Sequence, residues 1–259
     1  MISLLKISLI LAGVAAAQDA TYANRIYHDF RACNKCGLTS EPVNITTEDE
    51  SAAAITWCSE VSKDTPIRKL NSNRNVYIQR DADSSSAYLV LRAYRNEHII
   101  SSAEVESKLH NIFHASIRVR ARVRGDPSTC AGILTYYDDE NESDIEILTH
   151  DPTNHIRYTN QPGLDEDGNE IPGASVDAVI RGGAVWTEWN DYRLDWTAEL
   201  SSWYLNGELA HTKTYGVPTK PRNFILNMWG DGGVWTGDMD VGAAAYLDIE
   251  WIEILYNTT

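Results

Sequence analysis

Ser116-Ile117-Arg118-Val119-Arg120-Ala121-Arg122-Val123-Arg124 alternates without interruption between small or apolar residues and arginine. Successive side chains on a strand point to opposite faces, so this register buries Ile117, Val119, Ala121 and Val123 and turns four arginines outward. A helix would spread those arginines around its axis, so the pattern belongs to a half-buried strand. Similar segments rich in Val, Ile, Tyr and Trp lie on both sides of it, at residues 75–81, 87–95, 131–137, 143–150, 155–161, 191–197, 201–212, 223–230 and 245–256. Within 201–212, Asn206-Gly207 is a type I′ hairpin signal between WYL and ELA. No long stretch has helical period. About ten short strands joined by turns predict an all-β sandwich in one domain, with no repeat or linker dividing it.

The chain has 259 residues, 43% of them hydrophobic, which is enough for a sizeable core. Asp+Glu number 37 against 22 Lys+Arg, a net charge of −15. Phosphate binding needs concentrated positive charge, so this balance argues against a nucleic acid or an anionic membrane as partner. It suits a neutral polysaccharide, and equally the plain solubility of an exported protein. Residues 1–17, MISLLKISLILAGVAAA, run from a single lysine through an apolar stretch to small residues. That predicts a signal peptide cleaved before Gln18, and hence a secreted protein. The stretch is too short for a transmembrane helix, and the C-terminal tail is polar, so no membrane anchor is expected. An oxidising compartment makes Cys33, Cys36, Cys58 and Cys130 expected disulfide partners, with three pairings open. Residues 18–259 are then one domain, expected to be monomeric, whose 18–75 segment is irregular and tied down by cysteines. Sequons occur at Asn44, Asn141 and Asn257. A glycan on Asn141 would crowd the acidic strand that follows it.

That strand is Glu142-Ser143-Asp144-Ile145-Glu146. Its carboxylates recur with period 2 and face one way, while Ile145 and Ile147 face a core. Each carboxylate resists ionisation of the next, a cost that a working surface would explain. At a rise of roughly 3.3 Å per residue the Cα atoms of Glu142 and Glu146 lie about 13 Å apart. Two glutamates leaning together approach the roughly 5–5.5 Å carboxyl separation of a retaining glycosidase. One would attack the anomeric carbon and the other protonate the leaving oxygen. Asp144 between them would hold a proton or a hydrogen bond that sets the two pKa values apart. Calcium binding is the rival chemistry, but no Gly-containing Asp-rich loop accompanies these residues. On spacing alone, a solvated acidic strand face fits equally well.

Further segments lie around the motif: Ala103-Glu104-Val105-Glu106-Ser107-Lys108, Tyr158-Thr159-Asn160, Asp191-Tyr192-Arg193-Leu194-Asp195-Trp196, Trp203-Tyr204-Leu205-Asn206-Gly207 and Leu226-Asn227-Met228-Trp229. With them, the chain from about residue 75 to its end resembles glycoside hydrolase family 16, whose mark is a Glu-x-Asp-x-Glu strand. Ser143 departs from the Ile common at that position, on the face turned away from the carboxylates. Tyr158-Thr159-Asn160 is similar to a segment of family licheninases, and 103–108 to the strand that precedes the catalytic one. The resemblance implies a concanavalin A-like jelly-roll sandwich of two curved antiparallel sheets with a concave substrate cleft. It implies roles by position: Glu142 as nucleophile, Asp144 as the assisting residue and Glu146 as general acid/base. Laminarinase-like members carry an extra residue before the second Glu. This chain does not, which resembles the licheninase, xyloglucan-active and fungal wall-remodelling branches. No cofactor is implied as required. A structural calcium occurs on the convex face of relatives, but no ligands for it are identifiable in the sequence.

Sugar binding needs flat apolar surface for ring faces and polar groups for hydroxyls. Eight Trp and 13 Tyr against three Phe fit that need. Trp229 and Trp235, in MWGDGGVWTG, are the expected stacking platforms. Tyr158 and Asn160 are expected hydroxyl contacts, and Tyr136 a cleft residue from the neighbouring strand. Trp196, Trp203 and Trp251 sit among alternating apolar residues and are expected in the core. The resulting expectation is a secreted retaining endo-β-glucanase acting on β-1,3/1,4-type glucan through a covalent glycosyl-enzyme. The alternatives are a cell-wall glucan transglycosylase using the same intermediate, and a non-catalytic lectin-like carbohydrate-binding domain. The presence of all three carboxylates disfavours the last.

Overall fold

Strands make up almost all the regular structure of the computed structural model, which describes residues 22–31, 52–54, 56–81 and 86–259. Among these the strands are β1 (Asn24–Asp29), β2 (Ala52–Ala54), β3 (Trp57–Cys58), β4 (Arg68–Asn71), β5 (Val76–Arg80), β6 (Ala87–Arg95), β7 (Ile99–Ser107), β8 (Ile112–Gly125) and β9 (Cys130–Asp138). They continue with β10 (Asn141–Leu148), β11 (His155–Asn160), β12 (Ser175–Val179), β13 (Asn190–Trp196), β14 (Ser201–Leu205), β15 (Glu208–Lys213), β16 (Asn223–Trp229) and β17 (Ala244–Thr258). One sheet runs β12-β11-β10-β9-β16-β7-β2. The other runs β15-β14-β13-β8-β17, and β17 then pairs with β6 along one half and with β1 along the other. β7 joins both sheets, because its first half also pairs with β6. The result is the expected jelly-roll sandwich, antiparallel except where β4 runs parallel to β7.

The arginine strand behaves as its alternation requires. In β8, Ile117, Val119, Ala121 and Val123 are at most 2% exposed and sit in the core between the sheets. On the outer face Arg118 pairs with Glu253, and Arg120 with both Glu250 and Asp191. Arg122 and Arg124 both donate to Oδ2 of the fully buried Asp248, at 3.0 and 2.7 Å. Removing that shared acceptor leaves two guanidinium groups uncompensated, although both still reach water. Asp248→Ala is therefore expected to cost about 2 kcal/mol, below the ~3–5 kcal/mol of a fully buried pair, measured by denaturant unfolding. The hairpin signal is also present: Asn206 and Gly207 have φ of 52° and 84°, the left-handed pair that a type I′ turn demands.

Some expectations need correction. The 18–75 segment is not simply irregular. β1 pairs along β17 from Asn24↔Tyr256 to Asp29↔Trp251, and β4 pairs with β7. These strands are short, and their backbone ladders come from partners distant in sequence, so local alternation does not reveal them. β12 pairs with the preceding strand β11, but its SVDAV sequence has no fully buried face to mark it. Segment 103–108 lies mostly in β7, separated from β10 by the two intervening strands β16 and β9. Trp196 and Trp203 are fully buried, but Trp251 is half-buried on the outer face, tilted against Tyr27 at 6.5 Å. The bulge between Ile249 and Trp251 accounts for this, because it breaks the alternation along β17. Cys58 and Cys130 carry free thiols. Cys33, Cys36, Asn44 and residues 1–17, expected to be a signal peptide, lie outside the described residues.

Candidate active site

The Glu142-Ser143-Asp144-Ile145-Glu146 motif lies on β10, between β9 and β11. Its register with β9 is unbroken from Glu142↔Tyr136 through Glu146↔Gly132 to Leu148↔Cys130, with a shift only before Glu142. No bulge therefore separates the two glutamates. Ile145 and Ile147 are each 1% exposed in the core, and the three carboxylates occupy the opposite face. Cross-strand register extends this face into rows. Glu146 lies level with Gly132 of β9, Asn227 of β16 and Glu104 of β7, and Glu142 lies level with Tyr136 and Asn223. A Cβ on Gly132 would stand 2.4 Å from Asn227 Oδ1, so glycine leaves that step of the floor empty beside Glu146.

The electrostatics separate the three acids. Asp144 is buried, and with glutamates on either side burial pushes its carboxyl well above the ordinary range. Burial there favours its protonated form, and Gln161 Nε2 donates to its Oδ2 at 3.5 Å. Burial raises Glu142 to about 7, the hydrogen bond from Asp144 pulls it back, and the nearby charge of Glu146 adds to the rise. Burial also raises Glu146, opposed by donors from Cys130 and Trp235 and by the charge of Arg157. The Cys130 thiol, at 3.4 Å, and the Trp235 indole Nε1, at 3.1 Å, both donate to Oε1 of Glu146. That leaves Oε2 to carry a proton toward a ligand. Arg222 is fully buried beneath the floor, 4.3 Å from the Trp196 ring centroid and donating to Thr135 Oγ1 at 3.3 Å. Its charge favours the ionised forms of Asp144 and Glu142. Trp235→Phe keeps the ring and removes one donor to Glu146, so the alkaline limb of the pH–rate profile is expected to move to higher pH, with activity at pH 7 falling by less than about tenfold.

Of the expected ligand contacts, Tyr136 lines the cleft with Glu142, its hydroxyl donating to Asp139 at 3.1 Å. Trp235 does more than present a ring, because it holds Glu146. Trp229 lies on the carboxylate face, with the Lys69 ammonium 4.5 Å from its ring centroid. Tyr158 and Asn160 are not sugar contacts. Tyr158 stands opposite Ile145 and stacks on Trp203 in the core, with ring centroids 5.6 Å apart. Asn160, fully buried opposite Ser143, accepts from the Ser143 hydroxyl at 2.7 Å and donates to Tyr215 O at 2.8 Å. The register of β11 turns both away from the cleft. Asn141 is held at the start of β10, donating to Asp138 and accepting from Thr219. Sequence reasoning missed Trp57, Cys130, Arg157, Gln161 and Arg222 at the site. It also missed Glu104 and Glu106, although their period-2 spacing in AEVES was a usable signal.

The sequence model of Glycosyl hydrolases family 16 matches residues 64–253. The chain belongs to this family. A β-glucanase of Paenibacillus polymyxa is 31% identical over 121 residues, which are 45% of this chain and 47% of the relative. The chain spans about half the length of the first curated relatives it matches. Its fold is shared by a prokaryotic β-1,3-1,4-glucanase (lichenase) from a mouse hindgut metagenome, at a TM-score of 0.64 and 15% identity, covering 91% of this chain and 99% of that one. It is shared equally by a Bacteroides ovatus mixed linkage glucan family 16 protein in complex with a G4G4G3G product, at 0.64 and 17%, covering 89% and 99%. In this family 16 chain, no group of three or more His, Cys, Asp or Glu side chains among the described residues could hold a metal ion. No chemical step is therefore assigned to a calcium.

Proposed function

We propose that this family 16 chain is a secreted endo-β-glucanase that cleaves β-1,3/1,4-type glucan with retention of anomeric configuration. The observation that carries this reading is the buried Asp144 between Glu142 and Glu146 on an unbulged strand, its carboxyl pushed well above the ordinary range. A proton donated by Asp144 steadies the negative charge of Glu142, so Glu142 can attack the anomeric carbon while its neighbour remains neutral. As that bond forms, the glycosidic C–O bond breaks and the leaving oxygen takes the proton from Glu146. Glu146, now a carboxylate held by Cys130 and Trp235, accepts a proton from water. The water oxygen attacks the same carbon, and Glu142 departs. The names of the relatives support glucan as the substrate class, and the signal-like residues 1–17 support export.

The test is digestion of lichenan, laminarin, xyloglucan and galactan, with products sized and their initial anomeric form read by NMR. Shorter β-configured fragments from lichenan or laminarin are expected. Products longer than the donor would replace hydrolysis with transfer, and initial α-products would overturn retention.

A further inference from the structure

The cleft does not end at the catalytic strand. A cavity of about 540 Å³ runs from Glu142 and Tyr136 across Asn223 to Glu104, Glu106 and Trp57. Trp57 comes from β3, before the family-matched segment begins at residue 64. Three details show a built wall rather than a stray aromatic. The Trp57 indole Nε1 donates to Glu104 Oε1 at 3.0 Å, although the two residues are 47 positions apart. The half-buried Lys69 ammonium lies 4.6 Å from the Trp57 ring centroid and 4.5 Å from that of Trp229, bracing the two indoles. Asn223 Nδ2 donates to Glu106 Oε2 at 3.0 Å, fixing the second carboxylate. Trp57 still keeps 38% of its surface exposed, so ring area remains open to a ligand.

Resting on the catalytic reading above, we propose that Trp57, Glu104 and Glu106 form a distal subsite for a neutral pyranosyl residue of the glucan chain. Three strand spacings separate β10 from β7, roughly 14 Å or some two to three sugar units. The indole offers a flat apolar face, and the two carboxylates accept hydrogen bonds from sugar hydroxyls. The same carboxylates repel anionic sugars, so the subsite selects against carboxylated or sulfated chains. The segment ahead of the family-matched region thereby adds a specificity element to the cleft.

The experiment compares Trp57→Ala and Trp57→Phe with the wild-type chain on mixed-linkage β-gluco-oligosaccharides of three and six residues. Trp57→Ala is expected to lower kcat/KM for the hexasaccharide about tenfold more than for the trisaccharide, the size of one lost aromatic stacking contact. The loss is expected mainly in KM, with Trp57→Phe intermediate and the unfolding midpoint little changed. Equal losses on both lengths, or none on either, would overturn the subsite while leaving the glucanase reading intact. If the wild-type chain hydrolyses neither oligosaccharide, the catalytic reading fails instead. Titration of the hexasaccharide then decides the subsite alone: weaker binding by Trp57→Ala supports it, and unchanged binding overturns it.

Discussion

Glu142→Gln is expected to abolish glucan hydrolysis while making the protein more stable. The loss follows from the role: an amide cannot form the glycosyl ester, and removing a nucleophile costs at least about 10⁴-fold in rate. The stability gain follows from the site's electrostatics. In the folded chain Glu142 titrates at about 7 against an ordinary 4.5. The folded state therefore keeps a proton that the unfolded state has already released as pH rises through this window. Stability falls across the window, and the full deficit is present above pH 7. A displacement of this size corresponds to about 3 kcal/mol, which Gln at position 142 recovers at pH 8 but not at pH 4. For a chain of this length that is roughly 5–10 °C in Tm. Calorimetry of both proteins at pH 4 and pH 8 checks it. Stabilisation equal at both pH values would mean that the carboxylate is not strained by burial, and activity surviving at the wild-type rate would remove Glu142 from the mechanism.

The same contrast between local pattern and distant register explains what the sequence could disclose. The carboxylates of Glu142, Asp144 and Glu146 were readable because period 2 is written into consecutive residues, and so was the outer face of β8. Tyr158 and Asn160 were misassigned because a motif conveys residue types without direction. Pairing of Ile145 with Tyr158 decides which face each side chain takes, and that pairing is made with a separate strand. Trp235 was singled out as a ring, yet its bond to Glu146 depends on how the 230–237 loop returns over β10, 89 positions away in sequence. Trp57 was invisible for a stronger reason. It reaches the cleft only because β3 pairs with β4, and β4 lies against β7. The site thus combines a local motif with a wall assembled by long-range pairing, and the wall is where members of one family have room to differ in substrate choice.

Glu146→Ala separates the two chemical steps. On polysaccharide the leaving oxygen needs a proton, so the rate is expected to fall about 10³-fold, within the range that one general acid contributes. A dinitrophenyl β-glucoside oligomer departs without protonation, so Glu142 should still capture its sugar. Without Glu146 as base, water then attacks slowly, and the glycosyl-enzyme should accumulate as a burst followed by slow turnover. Azide needs no base. Added to the reaction, it should restore turnover and release a β-glycosyl azide, because it enters the face opened by the first inversion. The burst tests Glu142, the azide rescue tests Glu146, and the β configuration tests the double displacement. A variant that hydrolyses lichenan and the activated substrate with equal losses, without burst or rescue, would show that Glu146 does not exchange protons with the leaving group. The two donors converging on its Oε1, Cys130 and Trp235, would then have to be read as structural contacts rather than as the device that keeps its second oxygen aimed at the bond being cut.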